Sequence, residues 1–177
     1  MRLRKLLTRD RSGMAAVEFA LLLPIAITLF LGAFETTNAV MCYMKLISAA
    51  DTAADLVAQQ TTVSTTDITN YASASQMVMS PFATGSLGLV FASVTWNSSG
   101  TASVAWQQDV GASAVTNASI ITLATSPAIL GSANESVIVV QAKYAYTSPF
   151  AHVLPLNFTF SQNAFSKPRK VSAVPHS

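Results

Sequence analysis

Apolar residues run almost unbroken from 14 to 34, a stretch of 21 residues. A helix of that length spans about 31 Å, the thickness of a bilayer core. Glu35 then marks the exit into water, and the pattern becomes periodic instead of continuous. Met41, Met44, Ile47, Ser48, Ala54, Val57 and Ala58 recur at steps of three and four, the spacing of one helix face. No Gly or Pro falls between Ala33 and Pro81, so the pattern predicts one long helix over 14–60, half in membrane and half projecting. Pro24 lies inside it, removes one backbone donor and leaves the Ala20 carbonyl without its usual partner.

Beyond a Thr-rich break at 59–66, a second helix is expected over 67–79, capped from Thr65-Thr66-Asp67 and ended by Pro81. The period then changes to that of strands. Residues 87–96 and 101–107 flank Asn97-Ser98-Ser99-Gly100 and read as a hairpin, with one Trp on each arm, Trp96 and Trp106. Residues 108–134 are irregular, with a short helix at about 112–129 and Pro127 near its end. Residues 135–146 form the strongest strand pattern in the chain. After an apolar loop over 150–156, residues 157–165 alternate, with Phe158, Phe160 and Phe165 toward a core. The tail from Lys167 is Pro-containing and polar and is expected to fray. The fold class is α+β, with an antiparallel sheet of about four strands.

Glu18 is out of place in the apolar run. A carboxylate inside a membrane span costs about 3 kcal/mol by insertion scales and is retained for a function. A cut after Gly13 would make Met14 a free ammonium terminus, with Glu18 at the fifth position, about one turn away. That carboxylate could pair with its own amine or a neighbour's, near the positive end of the helix dipole. Gly13 suits a cut site, because a residue without a side chain allows an extended, accessible peptide.

The leader explains the charge. The net charge is +2, but residues 1–13 hold five of the ten bases and one of the eight acids. Without them, five bases face seven acids, a net charge of −2. The basic excess is a topology signal that keeps the leader cytoplasmic, and the mature part has no basic patch for nucleic acid.

The string Arg11-Ser12-Gly13-Met14-Ala15-Ala16-Val17-Glu18-Phe19-Ala20-Leu21-Leu22-Leu23-Pro24, followed by Gly32-Ala33-Phe34-Glu35, resembles the TadE-like family. These are the pseudopilins of tight-adherence, or Flp-type, pilus assembly. Phe19 stands where such processing motifs often carry Tyr. The resemblance implies that a prepilin peptidase cuts between Gly13 and Met14, and that Glu18 serves recognition and assembly. It implies a minor pseudopilin of the inner membrane, N-terminus cytoplasmic, whose partners are the peptidase, other pilins and pseudopilins, pilus assembly membrane proteins and lipid. The helix would pack through the small residues Ala15, Ala16 and Ala20. The Trp-Asn-Ser-Ser-Gly-Thr-Ala hairpin, and the strand running into Tyr144-Ala145-Tyr146 with Pro149 and Pro155 after it, resemble the family's C-terminal half more loosely. The expected organisation is a leader (1–13), a transmembrane helix (14–35), a periplasmic pilin-like domain (36–166) and a flexible tail (167–177). The alternative is an unprocessed, membrane-anchored binding module of the cell envelope.

Composition and candidate chemistry add little. Charged residues make up 10% of the chain, against about 25% in ordinary soluble domains. Cys42 is the single cysteine, so no internal disulfide forms, and it reads as a small buried apolar residue. Asp51 and Asp55 share a helix face and read as solvated. His152 sits in an apolar loop and His176 in the tail. There is no HExxH, CxxC, phosphate-binding glycine loop or nucleophile elbow. The reading is a structural protein, with no catalytic residues, no cofactor and no metal.

Overall fold

A computed structural model describes residues 12–112, 115–125, 133–151 and 157–177. Helix α1 runs without a break over Ser12–Ala58, through Pro24. Thr28 Oγ1 donates to the Pro24 carbonyl at 2.8 Å, and Thr36 and Thr37 donate likewise to Gly32 and Ala33. Each hydroxyl is thus satisfied within the helix, as apolar surroundings demand.

The outer half of α1 lies across the sheet. Its buried face is Glu35, Cys42, Leu46, Ala49, Ala50, Ala53, Ala54, Val57 and Ala58. The stripe expected through Met41 and Met44 is wrong in its first half, since both are exposed. Two stripes there fit a 3.6-residue period. The one holding small residues faces the sheet, because Ala and Cys let the backbone approach closely.

Helix α2, Thr65–Val78, is capped one residue earlier than expected, by Ser64. Asp67 Oδ2 accepts from the Ser64 backbone N–H at 2.9 Å and from its hydroxyl at 2.7 Å. These bonds hold the Asp67 carboxyl below its ordinary range. Ile68, Ala72 and Ser75 form its buried face, which packs against α1.

Strands β1 (Leu87–Trp96), β2 (Ala102–Val110), β3 (Ser136–Thr147) and β4 (Asn157–Ser166) form one antiparallel sheet in the order β2-β1-β3-β4. Helix α3, Asn117–Thr125, packs on the other face from α1 and α2. Both faces of β1 and β3 are therefore covered. Leu87, Leu89, Phe91, Ile138 and Val140 meet α1 and α2, while Val90, Ala92, Val94 and Val139 meet Ile120 and Ala124 of α3. This is why β1 reads as a continuous apolar run and not as an alternation. Phe160 packs in the core under α1, whereas Phe165 packs on the α3 side. Pro127, Pro155 and His152 lie outside the described residues.

The two tryptophans do not pair. β1 and β2 slip by one residue between Ser93 and Val94, where Ser93 opposes Trp106 and Val94 opposes Val104. The bulge sends Trp106 to the α1 side and leaves Trp96 on the α3 side.

The tail expected to fray is docked. Arg169 N–H donates to the Ala58 carbonyl at 2.9 Å. The Val63 and Ser177 N–H groups bond Pro175 and Val63 at 3.0 and 2.9 Å, a short parallel bridge. Trp106 Nε1 donates to the Val174 carbonyl at 2.7 Å, and Val174 is buried. His176 of this tail lies tilted against the Trp106 ring at 5.4 Å and meets Gln108 at 2.9 Å. Lys167 pairs with Glu135 at 2.7 Å, and Arg169 pairs with Asp55. The polar composition hid Val174, buried in the core that Trp106 packs against, and Val171, half-buried against the same core.

Cys42 is free and fully buried, and burial pushes its thiol up to about 11. At pH 8 its alkylation is expected to be about a hundredfold slower than that of an unperturbed thiol. Denaturation in urea restores the ordinary rate. A time course with iodoacetamide, with and without urea, reads the difference.

Candidate functional site

The residues singled out at the N-terminal end stand clear of the rest of the molecule. Met14 is 63% and Phe19 65% exposed, and Ala15, Ala16, Glu18 and Ala20 are exposed too. Nothing lies within 4 Å of the position a Gly13 side chain would occupy. Pro24 continues the same bare rod. No residue of this group touches the sheet, so the chain itself supplies Glu18 with no partner among the described residues. α1 is long and apolar enough to cross a membrane, and its most apolar stretch has no buried residue.

The described residues are already helical at Ser12, so the Gly13–Met14 peptide bond lies in helix. The extended conformation expected at Gly13 is not the one present. Gly is among the weakest helix formers, so opening the helix at Gly13 costs less than at its neighbours.

Glu35 is the residue the sequence reading misplaced. It was expected to mark the exit into water, yet it is 1% exposed. Tyr146, near the end of β3, donates its hydroxyl to Glu35 Oε1 at 2.8 Å. Burial, and then the bond to Glu35, push the Tyr146 phenol well above its usual range, so it remains a donor. Glu35 Oε2 is buried without a hydrogen-bond partner among the described residues. The contact follows from topology: β3 ends where α1 leaves the apolar run. Two features could have pointed to it, an acid directly after a span and a Tyr on the inward-facing alternation of β3.

Aromatic rings gather at this end of the sheet. Phe150 meets Phe34, in the last turn of the apolar run, edge to face at 5.6 Å. Tyr146 and Phe158 flank Phe160 at 6.0 and 6.2 Å, and Tyr43 of α1 also meets Phe160. The end of the sheet is thus held against the helix at the level where the apolar run stops.

Asp55 is engaged by Arg169 and accepts from Gln59 at 2.7 Å, while Asp51 is exposed. No group of three or more His, Cys, Asp and Glu able to hold a metal occurs among the described residues.

No curated protein and no solved structure gives a significant match to this chain. A family model does: residues 13–55 match that of TadE-like protein. The match starts at Gly13, takes in Glu18, Pro24 and Glu35, and ends before α1 does, leaving α2 and the sheet outside it. Over 13–55, the stretch of α1 that holds Gly13, Glu18 and Glu35, this chain therefore matches the family that its sequence resembles, TadE-like protein.

Proposed function

We propose that this chain is a minor pseudopilin that takes part in the initiation or assembly of a tight-adherence pilus. It inserts as a single-pass protein of the inner membrane, leader in the cytoplasm and sheet domain in the periplasm. A prepilin peptidase cuts after Gly13. The mature helix then packs against the helices of partner pilins through Ala15, Ala16 and Ala20, and Glu18 takes up a terminal amine in the apolar bundle.

One observation carries this reading. The N-terminal half of α1 is apolar, bare on every side, and interrupted by a single carboxylate five residues after Gly13. A helix that served only as an anchor would have no use for that carboxylate. A helix that assembles side by side with others does, because a charge pair within an apolar bundle fixes register. The TadE-like match over the same residues supports the family context. The role of the sheet domain is to template neighbouring subunits, from a helix held rigidly at the membrane surface by Tyr146 and the aromatic cluster. The reading is tested by the chemical identity of the mature N-terminus, since cleavage gives a chain that begins at Met14.

A further inference from the structure

A groove of about 290 Å³ opens between α1 and the edge strand β4, lined by Glu35, Thr36, Ala39, Val40, Phe158 and Phe160. It is apolar except for Glu35 and for Thr36, whose hydroxyl is taken up by the Gly32 carbonyl. Val40 is 55% and Phe158 44% exposed, so its rim is uncovered apolar surface. Within it the Glu35 side chain is half satisfied: Oε1 accepts from Tyr146, and Oε2 is buried without a donor among the described residues.

Depth identifies what can meet it. The apolar run ends at Phe34, and the headgroup layer adds about 5–7 Å on each side of the bilayer core. That is about three to five helical residues, so residues 35–39 lie within the headgroup layer and Val40 at its outer edge. The Phe34–Phe150 contact puts the start of the β3–β4 connection at the same level, where aromatic side chains anchor proteins. A carboxylate oxygen lacking a donor repels phosphate and calls for a cation bearing N–H groups. Aromatic faces beside it add cation–π attraction for the same group. Choline has the charge and no N–H, whereas a primary ammonium has both.

We propose that the α1–β4 groove is a binding site for a phospholipid whose headgroup carries a primary ammonium. The ammonium donates to Glu35 Oε2 and lies against Phe158 and Phe160. The lipid fastens the sheet domain to the membrane surface beside the helix. This requires α1 to cross the bilayer and does not depend on cleavage at Gly13. Recovery of the protein in lipid nanodiscs reads the first condition separately.

The test uses the full chain in nanodiscs of equal phosphatidylethanolamine, phosphatidylglycerol and phosphatidylcholine with matched acyl chains. Retained lipid is identified by native mass spectrometry after release. Phosphatidylethanolamine is expected to be enriched at least about tenfold over both others, and Glu35→Gln to reduce the enrichment to about twofold or less. Phe158→Ala, which alters an exposed side chain and leaves the Tyr146 bond intact, is expected to reduce it about threefold or more. Near-UV circular dichroism checks that each variant keeps its fold. Equal retention of the three lipids, or an enrichment unchanged in Phe158→Ala and in a folded Glu35→Gln, overturns the proposal. So does a crosslink from Val40→Cys to a pilin helix in native membranes, which would make the groove a protein interface.

Discussion

Glu18→Ala is expected to insert into the membrane normally and to lose assembly. The two effects have opposite signs because the carboxylate acts differently in the two states. In an isolated span it costs about 3 kcal/mol, so its removal makes insertion easier. In the proposed bundle it would meet an ammonium with little water present, and losing that pair would leave the amine buried and alone. A loss of about 3 kcal/mol per contact weakens association about a hundredfold. Pilus material sheared from cells should fall by about that factor, while the protein remains in the membrane fraction after carbonate extraction. Glu18→Gln separates the components: it keeps the shape and a hydrogen-bond acceptor without the charge, and should assemble little better than Ala. Normal pili from both variants would end the pairing argument.

Removing residues 168–177 is expected to produce the largest loss of stability of any change outside the core. The tail supplies the Arg169–Asp55 pair and backbone bonds to Ala58 and Val63. It also supplies the carbonyl that receives the Trp106 indole N–H, and it buries Val174. Exposed ion pairs contribute little, so the effect comes from the apolar burial and the satisfied indole. Losing the burial of Val174, uncovering Val63 and the Trp106 ring, and leaving the indole donor without its acceptor amounts to about 3–5 kcal/mol. For a folded part of this size the thermal midpoint should drop by about 10 °C. Trp106 reports locally, and its emission should shift to the red as water reaches the ring. Trp96 lies on the other face of the sheet and supplies an internal control, since Trp96→Phe should not alter the shift. An unchanged midpoint and an unchanged emission maximum would mean that the tail does not dock in solution.

The physical signals differ along the chain in how openly they are written. The long helix was legible to within two residues of its end at Ala58, because an apolar run that leads into a helical period, with no Gly or Pro from Phe34 to Ser80, has few alternatives. The four strands were legible from period and turn residues. The face that α1 turns to the sheet was not, because Met41 and Met44 are apolar at helical spacing, as are Cys42 and Leu46. Only the sheet decides between these stripes, and it selects the small residues. The register slip that separates Trp96 from Trp106 has no local sign, since a bulge is set by what each face must bury. The tail was misread because its composition is that of a solvated end, while its place is fixed by long-range bonds to Val63 and Trp106. At the candidate site, Gly13, Glu18 and Pro24 stand out in a one-dimensional reading because each breaks a run. Glu35 is just as plain as a residue. Its burial depends on Tyr146, 111 positions away, and no spacing rule reaches that far.

The central claim is that residues 1–13 are removed and Glu18 then serves a terminal amine. The most direct test is the N-terminus of the protein isolated from membranes, determined by mass spectrometry in cells with and without a prepilin peptidase. The account predicts a mature peptide that begins at Met14 when the peptidase is present, and the uncut chain when it is absent. A chain that begins at Met1 in both cells would contradict it. It would leave an unprocessed anchor, with Glu18 still unpaired in the membrane.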